Sequence, residues 1–176
     1  YATNECLTFA SDVFSSDLEW YADIYTKADL HAYYPYASAG VPESYFTAYD
    51  QTAGIGAADF MAASKKGVLP TPKDVVPTVN AVTMVFKHMM TKLVVNVDNQ
   101  SGAEIVSIGI EGTPRATGLD LVNMALTPYE GELPEEETGP VMAYEASAGK
   151  TWQAIVIPHS GAMSVVITLS NKTVLT

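Results

Sequence analysis

A single cysteine, Cys6, excludes an internal disulfide and any cysteine-built metal cluster. Cys6 itself reads as a small buried or near-terminal thiol. Basic residues are scarce: nine Lys and Arg stand against twenty Asp and Glu, a formal charge of −11. Without a basic stripe to neutralise phosphates, the chain is not built for nucleic acid, and the same imbalance argues against anionic headgroups. No apolar run approaches the roughly 18–20 residues of a membrane-spanning helix. The chain opens on Tyr1, with neither an initiator methionine nor a charged–apolar–small leader. It therefore reads as a processed or trimmed product, with any export signal or lipid anchor on a missing N-terminal segment. Membrane association is expected only through such an anchor.

Catalytic signals are equally thin. His31, His88 and His159 are the only imidazoles, and none has the helical or Glu-x-x spacing of a metal motif. His88 continues an apolar face and reads as a core-edge histidine satisfied by a backbone carbonyl. His31, among tyrosines, reads as a surface pair partner. There is no Gly-x-Ser-x-Gly elbow, phosphate loop or dinucleotide fingerprint. Gly54-Ile55-Gly56 lacks a preceding buried strand and a third glycine, so it reads as a turn. Three consecutive glutamates at 135–137 do not converge around a glycine turn as calcium ligands must, and read as a solvated tip. No catalytic, cofactor-binding or metal-ligating residue is assigned, and the expectation is a non-enzymatic protein.

What the chain has instead is strand pattern. Of its 176 residues 48% are hydrophobic and ten are tyrosine, a composition that suits sheet surfaces, in a chain long enough to bury roughly 70% of its unfolded surface. The organising stretch is 82–98, VTMVFKHMMTKLVVNVD. Val82, Met84, Phe86 and His88 share one face, and Leu93, Val95 and Val97 share another, with a bulge or corner expected at 89–91. Residues 20–25, 29–36 and 45–49 are further strand candidates, the second ended by Pro35 and followed by a Ser/Gly/Pro loop at 37–42.

Residues 57–64, AADFMAAS, are the best helical candidate, although barely two turns long. Residues 65–77, with Gly67, Pro70, Pro72 and Pro77, have linker chemistry and mark an expected domain boundary. Beyond them come a strand at 104–112 with Val106, Ile108 and Ile110 inward, a turn at 112–118, a strand at 119–126 and an acidic loop at 129–140. Residues 151–157 and 163–169 are expected to pair across 158–162. No fixed-period repeat is present. Short strands, turn-rich joints and little helix predict an all-β protein of antiparallel sandwiches.

Four segments, in order, carry a resemblance: LHAYYPY at 30–36, AADFMA at 57–62, the stretch 82–97 around Phe86-Lys87-His88 and Lys92-Leu93, and 154–169 with Ile157-Pro158-His159. Together they resemble the fimbrillin family, the shaft and tip subunits of the Bacteroidales-type pilus, over roughly residues 20–170. The resemblance implies tandem transthyretin-like antiparallel β-sandwich domains, here 1–70, incomplete at its N-terminus, and 78–176, lacking its last strand. It also implies export through the periplasm as a lipoprotein to the cell surface. The implied partners are other pilus subunits joined by strand exchange after an arginine-specific cleavage, with host protein or glycan as adhesion ligands. Departures are visible too: the only arginine is Arg115, inside an expected turn, and His159 stands where the family more often has glutamine. Tyr33, Tyr34 and Tyr36 form a candidate binding surface, since tyrosine offers a flat apolar face with a polar tip. A non-polymerising surface lipoprotein or tip adhesin binding through those rings is the alternative expectation.

Overall fold

The structure, a computed structural model, describes residues 4–11, 13–15, 25–69, 82–133 and 139–176. Its strands in chain order are β1 (Thr8–Ala10), β2 (Val13–Ser15), β3 (Ala28–Tyr34), β4 (Ser44–Phe46), β5 (Met61–Val68), β6 (Lys87–His88), β7 (Thr91–Asn96) and β8 (Ile105–Glu111). They continue as β9 (Ala116–Asp120), β10 (Ala125–Thr127), β11 (Val141–Met142), β12 (Tyr144–Ser147), β13 (Thr151–Val156), β14 (Ser164–Leu169) and β15 (Val174–Leu175). All pairings between these strands are antiparallel, in five sheets: β1-β2, β3-β5-β6, β10-β9-β4, β12-β13-β7 and β11-β8-β14-β15. The all-β expectation holds.

Two hydrophobic cores organise these sheets. The first gathers Ala58, Phe60, Ala62, Met90, Ile155 and Ile157, with Tyr33, Tyr45, Leu119 and Leu126 packed around them. The second gathers Ile108, Ile110, Val141, Ala143, Trp152 and Ala154, with Leu93, Val95, Val165 and Ile167 at its margin. β13 contributes to both, Trp152 and Ala154 to one and Ile155 to the other. Its sequence follows: Thr151 and Gln153, half-buried, alternate with buried Trp152 and Ala154, and from Ala154 to Ile157 every residue is apolar and buried.

Gln51, 1% exposed, extends this arrangement where β12 ends. Its side-chain amide donates to Ile155 O at 2.8 Å, and its carbonyl oxygen accepts from Ile155 N–H at 2.8 Å, so one side chain supplies a missing ladder rung. The expected boundary region bears on the same point. Residues 70–77 lie outside the described residues, but on either side of them the chain is shared. β4 pairs with β9, Gln51 reaches Ile155, and the Phe60 core takes Leu119 and Leu126.

The organising stretch behaves as its pattern requires. From 82 to 87, and again from 91 to 98, the more buried positions alternate with exposed ones, with Phe86, Leu93, Val95 and Val97 on the sheltered side. The corner falls at Met89–Met90, where the chain leaves β6, paired with β5, for β7, paired with β13. β3 stops at Tyr34, one residue before Pro35, as expected.

Other expectations are corrected. The helix expected at 57–64 is one 3-10 turn, Gly56–Ala58, followed by β5. Two uncapped turns cannot outcompete a strand that buries Ala62 and Ala63 completely, both paired with β3 and Ala62 also with β6. Residues 65–68 belong to that strand rather than to a linker. The strand expected at 45–49 is shorter and shifted, covering Ser44–Phe46.

The strand expected at 119–126 is a hairpin of β9 and β10, because the Asp120 carboxylate accepts from Asn123 N–H at 2.9 Å and Asn123 Nδ2 at 2.7 Å, closing a turn. β13 and β14 are not partners: β13 lies between β12 and β7, and β14 between β8 and β15, so 158–162 crosses between sheets. Val106 points outward, 65% exposed. Thr168 pairs with Ser107 and Leu169 with Ile105, which leaves Val106 as the extra residue of a bulge.

Candidate functional site

The second core is closed on one side and thin on the other. β11 and β12 are separated by Ala143 alone, so they share one side of the paired sheets, which places β7 and β15 on the opposite side. On the closed side Ile108, Ile110, Val141 and Trp152 are at most 3% exposed. Toward β7 and β14 the inward residues Leu93, Val95, Val97, Val165 and Ile167 are only half-buried. Among the described residues β7 is an edge strand, and β15 covers only Ile167 and Thr168 of β14. Unpaired backbone groups beside a partly covered apolar strip are what an added strand recognises.

The three tyrosines are not one surface. Tyr33 turns into the first core, its ring stacked on Phe60 with centroids 6.0 Å apart, and its hydroxyl donates to Asn4 Oδ1. Tyr34 and Tyr36, 47% and 48% exposed, face solvent on either side of Pro35. Alternation along 29–36 put Tyr33 opposite Tyr34, but only the Phe60 contact decides which face is the interior.

His88 is corrected as well: it is exposed, and its partner is a carboxylate rather than a backbone carbonyl. Its Nδ1 lies 2.8 Å and 3.0 Å from the two oxygens of Asp59. Asp59 was not legible as a partner, because it meets His88 only through the pairing of Met61 with His88. His31 is exposed opposite Ser64, and His159 Nδ1 accepts the Gly161 N–H at 2.9 Å within its loop. Residues 135–137 lie outside the described residues.

Tyr45 stands behind the same carboxylate. Its hydroxyl donates to Ala58 O at 2.7 Å, and its pKa is pushed up to about 12, first by burial and then by the negative charge of Asp59. A raised folded-state value favours the neutral phenol in the native state. This contribution to stability is complete below pH 10 and is lost as pH rises toward 12. Tyr45→Phe is expected to flatten the alkaline limb of a stability–pH curve measured by urea unfolding. An unchanged limb would mean that the phenolate is tolerated.

Two shallow depressions, about 430 and 660 Å³, share Asn99 and Gly149 at the ends of β7 and β12. Among the described residues no group of three or more His, Cys, Asp or Glu could hold a metal ion. No helix of the described residues is long and apolar enough to cross a membrane.

Comparison with known proteins decides the family. The family model described as Fimbrillin-like matches residues 1–176, the whole chain. The chain belongs to the fimbrillin-like family. Among solved structures it is similar to the crystal structure of a candidate cell adhesion protein from Bacteroides uniformis ATCC 8492, with a TM-score of 0.59 and 19% sequence identity. That likeness covers 83% of this chain and 57% of the other, so the chain spans little more than half the length of its structural relative. No curated protein matches. The sole arginine of this fimbrillin-like chain sits in the turn before β9, where Arg115 O accepts the N–H of buried Thr47 at 2.9 Å.

Proposed function

We propose that this fimbrillin-like chain is a structural subunit of a bacterial cell-surface fimbria that joins its neighbours by strand donation and serves adhesion. In this reading the fold is two transthyretin-like sandwiches whose strands interleave along the chain. The first is built from β3–β6 with β9 and β10, and the second from β7, β8 and β11–β15. The subunit travels through the periplasm and is held at the outer membrane by a lipid anchor outside the present sequence.

The observation that carries the reading is the half-open second core between β7 and β14. A donated strand laying four apolar side chains along Leu93, Val95, Val165 and Ile167 gains on the order of 6–12 kcal/mol from burial, before ordering costs. Ladder bonds to an edge strand then fix its register. A joint of that kind holds without a covalent link.

The test is polymerisation of exported, protease-trimmed protein, followed as SDS-resistant ladders on unheated gels. Ladders are expected from the wild type and should be lost in Val95→Asp and Ile167→Asp variants that still give a folded monomer spectrum. Persistent wild-type monomers, or ladders indifferent to both substitutions, would sink the proposal.

A further inference from the structure

One row of side chains crosses the β3-β5-β6 sheet on the face turned away from the first core. Tyr34 is registered opposite Met61, and Met61 opposite His88, so the three project from the same face across neighbouring strands. At a strand spacing of about 4.8 Å, ring and imidazole start about 10 Å apart with the thioether between them. Tyr34 is 47% exposed, and the His88 side chain is 68% exposed. The neighbouring row, Ala32 opposite Ala63, offers no reach into solvent, since Ala63 is fully buried.

The imidazole in this row is oriented. Asp59, with a side chain only 21% exposed, holds Nδ1 at 2.8 Å. An ionised carboxylate accepts only, so Nδ1 carries the proton it receives, and in the neutral ring Nε2 is left as a hydrogen-bond acceptor. Among the described residues nothing bonds to Nε2. An exposed aromatic face, a soft apolar middle and an oriented imidazole edge, in line, match one ligand chemistry. It is a ring with an apolar C–H face and hydroxyl donors at its rim.

The geometry points to a carbohydrate-binding strip on this chain, in which Tyr34 stacks against a neutral pyranose and His88 Nε2 accepts a hydroxyl of the same sugar or the next one. The strip is a single row and lies on the first core's sheets, so it operates whether or not the second core accepts a strand. Its bonds are non-covalent and its affinity low, as an open surface without walls dictates.

The experiment is saturation-transfer NMR on the full chain with lactose, cellobiose and N-acetyllactosamine, each at about 10 mM, the range in which weak surface sites fill. Transfer to the C–H protons of at least one sugar is expected. Loss of the stacking ring in Tyr34→Ala should weaken it about tenfold. Tyr34→Phe, which keeps the ring, and Tyr25→Ala, which removes an 83% exposed ring elsewhere, should leave it intact. His88→Ala should weaken it several-fold. Tyr34→Thr repeats the test with a strand-forming residue should alanine disturb β3. No transfer from any of the three sugars overturns the inference. So does transfer that survives loss of the Tyr34 ring, or an unchanged His88→Ala variant.

Discussion

Gln51→Leu is expected to lower the unfolding free energy by about 3–5 kcal/mol, although leucine nearly fills the same volume. The wild-type amide satisfies Ile155 N–H and Ile155 C=O at 2.8 Å each and donates to Ala48 O at 2.9 Å. Leucine removes all three bonds and restores none, leaving a buried peptide group of β13 without partners. Urea denaturation should show a lower midpoint with an unchanged slope, since the surface exposed on unfolding is the same. A loss below about 1 kcal/mol would mean that water reaches Ile155 and replaces the side chain.

Two residues apart on β8, a pair of truncations is expected to separate widely. Ile108→Ala should cost about 3–4 kcal/mol, because Ile108 is 0% exposed in the second core and the cavity cannot collapse between two sheets. Val106→Ala should stay within about 0.5 kcal/mol, because the bulge puts that side chain in water. Parallel thermal or urea unfolding of the two variants decides it. Similar losses would mean that Val106 is buried and that no bulge separates Ile105 from Ser107.

That pair also shows where sequence reading ends. Alternation correctly assigned the faces of 82–87 and 91–98, though not of His88, as well as the stop before Pro35 and the corner at Met89–Met90, because each follows from local geometry. A single inserted residue inverts the alternation without leaving a mark in residue type, so Val106 reads as an inward valine. Partner choice is further out of reach. Residues 151–157 and 163–169 look like an ideal hairpin, yet each pairs with a strand more than forty residues distant, β7 or β8.

Residues 57–64 failed for a related reason: alanines favour a helix in isolation, but at zero exposure in a paired strand their small size is what matters. The candidate site was partly legible. The aromatic content of 33–36 was plain, whereas the inward turn of Tyr33 depends on Phe60, and the His88–Asp59 pair depends on cross-strand register.

β13 imposes a restriction that reaches beyond its six residues. With Trp152 and Ala154 on one side and Ile155 on the other all within 3% of full burial, none of these three positions can take a charge. Variation compatible with folding is therefore pushed outward, to the loops and the solvent-facing rows. A library randomised there can alter what the molecule touches while its interior stays the same.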